Sequence, residues 1–381
     1  MTPAARAEAA IQILDRILTG EPAEASLLRW SRASRYAGSG DRAAVRDLVF
    51  DSLRRRDSRA ARGGALSGRG LILGMLREEG ADPAAIFSGQ GHAPALLSGP
   101  ELAAGRAPDA TEALDLPVWV QPAWRDALGD LAEPVALAMR ERAPVWLRAN
   151  TLRATPQQAI EALAAEGIIV QPCADLATAL RVAEGARRIA ASAAYRDGLV
   201  ELQDLSPQLA CAALPEAKTV LDYCAGGGGK ALALAARDSR VTAHDVDPRR
   251  MSDLPARAAR AGARIRLARS DELRAGFDMV VTDVPCSGSG TWRRTPDAKW
   301  RLRPAELQQL LEVQARILRQ AADLVAPQGH LAYMTCSVLQ AENGDQIRSF
   351  LTDRAFALVD ERRFSPINAS DGFYLALMRR C

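Results

Sequence analysis

Along the first 90 residues, apolar side chains recur at intervals of three and four. Ile11, Leu14, Ile17 and Leu18 share one helical face behind a Thr2-Pro3 start signal. Asp41 stands where it could cap a further helix whose stripe is Val45, Leu48, Val49 and Leu53. Arg54, Arg55 and Arg56, then Arg59 and Arg62, read as a solvated helix end, with phosphate contact as the sharper alternative. From Gly89 to Leu116 the periodicity gives way to Gly, Pro, Ala and Ser, the composition of a linker. The first unit is therefore expected over residues 1–116, helical with a linker at its end.

Residues 117–215 mix helical stretches with short strand-like ones at 144–147, 167–170 and 198–202, which predicts a small α/β unit. From Lys218 onward the pattern becomes strand, glycine turn, helix, strand. Short apolar runs at 219–223, 240–244, 264–267, 279–282 and 330–334 are of the kind buried in a parallel sheet. A helix is predicted over 304–326, with Leu307, Leu310, Leu311, Gln314, Ile317 and Leu318 at helical spacing. Residues 216–381 should form a doubly wound α/β sheet.

Composition narrows the picture little. With 48% hydrophobic and 25% charged residues the chain has the make-up of a soluble protein, and no apolar run is long enough to cross a bilayer. A cytoplasmic protein with no membrane partner is expected. The net charge of +3 is too small to identify a nucleic-acid partner, although basic residues can still concentrate on one face. All the lysine is at Lys218, Lys230 and Lys299, and two of these fall inside the motifs below. The six cysteines, at 173, 211, 224, 286, 336 and 381, show no metal-ligand spacing, so no metal is expected. Only His92, His244 and His330 could serve as a histidine base. Nothing in the sequence demands more than a monomer.

The first strand of the doubly wound unit ends in Leu-Asp-Tyr-Cys-Ala-Gly-Gly-Gly-Gly-Lys, residues 221–230. Glycines between a strand and a helix let the backbone approach a ligand and present amide donors at the helix start. Their spacing fits neither G-x-G-x-x-G nor the phosphate loop, which argues against NAD and ATP. Asp245, just after the second strand, occupies the usual place of a ribose-binding acid, with Asp247 as the runner-up. Asp271, after the third strand, could reach an adenine ring or merely cap a helix. The fourth strand ends in Thr-Asp-Val-Pro-Cys-Ser-Gly-Ser-Gly, residues 282–290, and the fifth in Tyr-Met-Thr-Cys-Ser, residues 333–337. Strand C-termini of such a sheet form its ligand-binding edge, so Cys286 and Cys336 should converge there as candidate thiolate nucleophiles.

Three of these blocks resemble a known family. Pro-Cys-Ser-Gly-Ser-Gly (285–290), Trp-Arg-Arg-Thr-Pro-Asp-Ala-Lys-Trp (292–300) and Thr-Cys-Ser-Val (335–338) with Glu342 and Asn343 look like the signatures of the RsmB/NSUN-type RNA cytosine-5 methyltransferases. Cys-Ala-Gly-Gly-Gly-Gly-Lys resembles that family's first motif, usually Cys-Ala-x-Pro-Gly-Gly-Lys. Here the proline is missing, with Gly227 or Gly228 nearby, which makes the loop more flexible. The resemblance runs over residues 117–381, and the helical N-terminal part is similar to the NusB-like RNA-binding domain of the bacterial members.

That resemblance implies a Rossmann-like class I methyltransferase sheet behind a small α/β RNA-binding subdomain and an all-helical NusB-like domain. It implies methyl transfer from S-adenosylmethionine to carbon 5 of a cytidine in structured RNA, with small-subunit rRNA the expected substrate and tRNA the alternative. Cys336 would add to carbon 6 of the base, Cys286 would help release the product, and Asp283 would hydrogen-bond the cytosine edge. Cys224, Ala225, Gly226, Gly227, Gly228, Gly229, Lys230, Asp245, Asp271 and Asp283 would hold the cofactor, and Arg293 and Arg294 are candidates for phosphate contact. Apart from the resemblance the two thiols are interchangeable, because DNA cytosine-5 methyltransferases carry their nucleophile in a Pro-Cys pair like 285–286. A non-catalytic RNA-binding assembly factor and a nicotinamide-dependent oxidoreductase are the competing readings. The first is opposed by the cysteine pair and acidic positions, the second by the glycine spacing.

Overall fold

The computed structural model describes residues 1–368 and 370–381. Its contacts divide the chain into two units. One comprises Met1–Arg142 and Thr291–Pro304, the other Ala143–Gly290 and Ala305–Cys381.

The first unit is helical, as the three-and-four spacing predicts. Helices Pro3–Leu18, Ser39–Arg54 and Gly68–Glu78 bury Ile13, Leu14, Val45, Val49, Leu71 and Ile72 in one core. Thr2 caps the first helix by accepting the Ala5 amide at 3.2 Å. Asp41 helps to cap the next one from inside the helix, Gly38 being the N-cap residue. It sits three residues inside, where its carboxylate accepts the Gly38 amide at 3.4 Å and pairs with Arg6 and the N-terminal ammonium. The sequence boundary at 116 differs from the contact boundary, because helices Gln121–Leu128 and Ala132–Met139 pack with the helical unit.

The arginine run after residue 53 is not a solvated helix end. Arg59 is 1% exposed and pairs with Asp51 at 2.5 Å and Glu78 at 3.2 Å. Arg55 reaches Glu78 and Glu141, and buried Arg54 donates to the Arg293 carbonyl at 2.7 Å. Besides nearby Asp51, their partners come from distant sequence, and the segment 291–304, which belongs to this unit, supplies the Arg293 carbonyl. Trp292 stacks on Trp124 with centroids 6.0 Å apart, and the Trp300 indole N–H donates to the Leu53 carbonyl at 2.7 Å. Lys299 is 1% exposed and donates to the carbonyls of Asp115 at 2.6 Å and Arg54 at 3.0 Å.

The second unit holds two sheets. Strands β1 (Trp146–Ala149), β2 (Ile169–Pro172), β3 (Ala179–Glu184) and β4 (Val200–Leu202) form an antiparallel sheet in the order β2-β3-β1-β4. Leu147, Ala149, Leu180 and Val200 bury one face against Ala159 and Leu163 of helix Pro156–Ala165. The larger sheet comprises β5 (Thr219–Asp222), β6 (Arg240–Ala243), β7 (Ile265–Leu267), β8 (Phe277–Asp283), β9 (Val325–Thr335), β10 (Phe356–Phe364) and β11 (Phe373–Arg380). Their order is β10-β11-β9-β8-β5-β6-β7, with β5 to β9 parallel and β11 antiparallel to both its neighbours. Alternate residues feed opposite cores, Val220, Met279 and Val281 on one face and Leu221, Val280 and Leu331 on the other. Both faces are therefore covered, and the ligand edge is the row of strand C-termini. The helix predicted over 304–326 runs over Pro304–Ala322.

Burial pushes the Lys299 ammonium down to about 7, against the opposing pull of the Asp115 carboxylate. The unfolded chain keeps this proton up to about pH 10.5, whereas the folded unit loses it near 7, so between those limits stability rises with pH. Five of the six tryptophans lie in this unit and report its unfolding. The urea midpoint by tryptophan fluorescence should rise from pH 7 to pH 9, and Lys299→Met should flatten that rise. An equal slope in the two proteins would contradict this charge assignment.

Candidate active site

The ligand edge is assembled from the ends of β5, β6, β8 and β9. β8 and β9 are parallel neighbours with Asp283 opposite Met334, and the Val284 amide extends the ladder to the Met334 carbonyl at 3.1 Å. The next turn of each strand carries a cysteine, and the shared register brings Cys286 Sγ to 3.3 Å from Cys336 Sγ. Convergence of the two thiols, expected from the topology, is thus met. The hydrogen bond to Cys336, then burial, pushes the Cys286 thiol well above its usual range, with the Glu342 charge adding to the effect.

The serine after each cysteine is tied to one carboxylate. Glu342, fully buried, accepts the Ser287 amide at 2.8 Å, the Ser287 hydroxyl at 2.5 Å and the Ser337 hydroxyl at 2.5 Å. Gln314 bridges the same carboxylate and the Pro285 carbonyl, each at 3.0 Å. Asn343 accepts the Thr335 hydroxyl at 2.6 Å and donates to the Ser337 carbonyl at 2.9 Å. Gly290 is required by packing: a Cβ there would lie 2.1 Å from the Gly372 carbonyl oxygen. These serines and Gln314 escaped the sequence reading. Their signal was the repeated Cys-Ser, since a hydroxyl beside each cysteine gives one distant acid a common grip.

On the β5 side, Lys230 Nζ pairs with Asp283 Oδ2 at 2.5 Å and lies 5.3 Å from the Phe373 ring centroid. Burial alone would lower the Lys230 pKa, but the Asp283 carboxylate overcomes it and raises it. Lys230 therefore engages Asp283 directly. Asp222 at the end of β5 is 1% exposed, near the Ala231 amide at the start of the next helix. Burial raises its pKa to about 7, opposed by the Lys230 charge.

Between Asp222 and Lys230 runs the glycine loop. Gly228 has φ +82°, and a Cβ there would lie 2.1 Å from Leu254 Cδ1, so only glycine fits. Asp245, buried at the end of β6, accepts the amides of Gly226 at 3.0 Å and Asp247 at 3.1 Å and pairs with Arg250 at 3.2 Å. Asp247 instead caps the following turn through the Arg249 amide and pairs with Arg249 at 2.9 Å. Asp271 is largely exposed and pairs with Arg269 at 3.3 Å. Cys224 is kept a thiol by burial and by the charges of Asp222, Asp283 and Asp245, all of which push its pKa up. His244, one of the three candidate histidine bases, joins the Tyr223 carbonyl at 2.8 Å to the Ser270 hydroxyl at 2.9 Å.

This edge suits a cationic ligand with a nucleoside end. Three carboxylates, Asp222, Asp245 and Asp283, are close enough to act together on Cys224. S-adenosylmethionine, with its sulfonium and ammonium, has that charge pattern. No group of three or more His, Cys, Asp or Glu side chains among the described residues could hold a metal. Of the two arginines expected near the base, Arg293 is 3% exposed inside the helical unit and Arg294 is exposed. Burial removes Arg293 as a surface phosphate contact.

Comparison with known proteins agrees with this geometry. A family model described as 16S rRNA methyltransferase RsmB/F matches residues 210–378, and one for the ferredoxin-like domain of the same proteins matches 116–187. Ribosomal RNA small subunit methyltransferase B of Xanthomonas campestris is 33% identical over 288 residues, 69% of this chain and 66% of that protein. The chain thus spans just under two thirds of that relative's length. The crystal structure of PH0851 superposes on the whole chain with a TM-score of 0.78 at 22% identity, covering 99% of that protein. NSun6 from Pyrococcus horikoshii, crystallised with SFG, gives 0.62 at 16% identity over 69% of this chain and 98% of its own. These two likenesses concern the fold.

Removing the Glu342 carboxylate strands four donors in a buried pocket. Glu342→Ala should cost about 3 kcal/mol, the scale of leaving buried donors to a charged partner unsatisfied. Chemical denaturation measures it; a loss below about 0.5 kcal/mol, the scatter of an ordinary surface substitution, would refute the clamp.

Proposed function

Since the chain belongs to the RsmB/F methyltransferase family, we propose that it methylates carbon 5 of a cytidine in structured RNA, most directly small-subunit ribosomal RNA, through a covalent bond from Cys336 to the base. The observation that carries this reading is the contact between Cys286 and Cys336 at the ends of adjacent parallel strands. Carbon 5 of cytosine is too weak a nucleophile to be alkylated directly. Addition of a thiolate at carbon 6 breaks the 5,6 double bond and places an electron pair at carbon 5. S-adenosylmethionine supplies an electrophilic methyl group when bound.

Asp222, Asp245, Asp283 and the loop Cys224–Lys230 are the groups that would hold that cofactor, their negative charge balancing its positive one. Asp271, on the surface after β7 at the same edge, is the group assigned to the adenine. Asp283, held by Lys230, is fixed for hydrogen bonding to the cytosine edge, where charge develops as sulfur adds. The hydrogen bond to Cys336 and burial both favour the protonated form of Cys286, and the nucleophile's part is given to Cys336 because its Thr-Cys-Ser block resembles the family's motif. After methylation the carbon 5 proton leaves to a base and the carbon 6–sulfur bond breaks, returning the Cys336 thiolate. Cys286 beside it is the group assigned to assist that elimination.

A base must leave its stack to reach this edge, at a cost of a few kcal/mol that is least for an unpaired nucleotide. Loops and junctions of folded RNA are therefore the expected targets.

With small-subunit RNA and S-adenosylmethionine, Cys286→Ala should accumulate a denaturant-resistant protein–RNA adduct on a gel, because addition proceeds while release is slowed. Cys336→Ala should form none. The reverse pattern would exchange the two roles, and no adduct from either variant would refute the covalent route.

A further inference from the structure

Four consecutive glycines are the most disordered linker a chain can offer, and fixing them costs more conformational entropy than any other tetrapeptide. Something must hold residues 226–229 open at the cofactor edge. The Asp245 carboxylate takes the Gly226 amide, but the carbonyl side of the loop needs donors. Two are present. Arg257, on helix Leu254–Ala261, donates from Nη1 to the Gly227 carbonyl, and Gln203 donates from Nε2 to the Gly229 carbonyl at 3.3 Å.

Both donors are themselves anchored in the small sheet. Arg257 Nη2 pairs at 2.9 Å with Glu201 of β4, a carboxylate 1% exposed that also receives Arg260. Gln203 Oε1 accepts from Arg148 of β1, 6% exposed, at 2.7 Å. Burying a carboxylate forfeits its hydration, and the two guanidinium partners of Glu201 offset that loss. With one face of Arg257 fixed on Glu201, its other nitrogen is aimed at the loop.

We infer that Arg257 is a positioning residue for the cofactor, bracing the four-glycine loop from Glu201 of the neighbouring sheet. This rests on the reading of the loop as an S-adenosylmethionine site. Arg257 replaces with one charge-assisted hydrogen bond the rigidity that a proline in the loop would supply. Gly227 is where such a proline belongs. It has no positive φ, and in the resembling motif Cys-Ala-x-Pro-Gly-Gly-Lys the fourth position corresponds to it. A Cβ at Gly227 would lie 3.1 Å from Arg257 Nη1, so a side chain there and the guanidinium compete for one space.

The test is a double-mutant cycle on the full chain with two readouts, calorimetric affinity for S-adenosylmethionine and ligand-free hydrogen exchange of the peptide containing residues 224–230. Arg257→Ala should weaken binding about tenfold, the size of one charge-assisted hydrogen bond, and speed loop exchange by a similar factor. Peptides from β9 and β11 should exchange as in the parent, showing that the sheet persists. Gly227→Pro added to Arg257→Ala should restore affinity to within about threefold, while Gly227→Pro alone should gain little or lose, because Arg257 occupies its space. Loop exchange unchanged in Arg257→Ala would overturn the brace, as would failure of the proline to rescue. A parent protein that binds no S-adenosylmethionine would refute the cofactor reading instead, and the exchange data would still decide on the brace.

Discussion

The parallel register of β8 and β9 is the constraint on which the site depends. A parallel pair with Asp283 opposite Met334 leaves its two chains side by side at the sheet edge, and the next few residues of each must turn away together. Cys286 and Cys336 meet at 3.3 Å for that reason. Two loops leaving one edge would diverge without a common anchor. Buried Glu342 supplies it by holding Ser287 and Ser337, the residues that follow the cysteines. The acid thus fixes geometry and, through its charge, helps keep Cys286 a thiol.

Electrostatics divides the same edge into two halves. Around the glycine loop the carboxylates of Asp222, Asp245 and Asp283 lie close together, Asp245 paired with Arg250, Asp283 with Lys230, and Asp222 buried with no ion pair of its own among the described residues. Burial makes that acid resist ionisation, and positive charge beside it, as from Lys230, favours the charged form. Around the cysteines the groups are hydroxyls, amides and one carboxylate already saturated with donors. Negative charge is thereby concentrated on the loop side of the edge, while the thiol pair sits in a frame of hydroxyls and amides.

Much of this was legible in the sequence, for identifiable reasons. β5, β6, β8 and β9 are buried on both faces, so they read as unbroken apolar runs, and the motifs at their ends follow from them. Strands β10 and β3 did not read, because Arg362, Arg363 and Arg181 interrupt them with the polar residues of exposed positions. β11 is nearly all buried but lies after the last motif, where nothing in the local pattern separates a strand from a buried helix. The arginines at 54, 55 and 59 misled for another reason. Their partners Glu78, Glu141 and the Arg293 carbonyl are between 19 and 239 residues away, beyond any local pattern. Arg293 itself is buried by the excursion of residues 291–304 into the helical unit, which only tertiary contacts reveal.

The central claim is that a methyl group replaces hydrogen at carbon 5 of cytidine after a thiol has added to the ring. Small-subunit RNA transcribed with cytidine tritiated at carbon 5 reports this directly when incubated with the protein and S-adenosylmethionine. Substitution at that carbon must expel its hydrogen, so tritium should appear in water in step with methyl incorporated into RNA. Methyl incorporation with the tritium retained would contradict the account, because the group would then have gone to another atom.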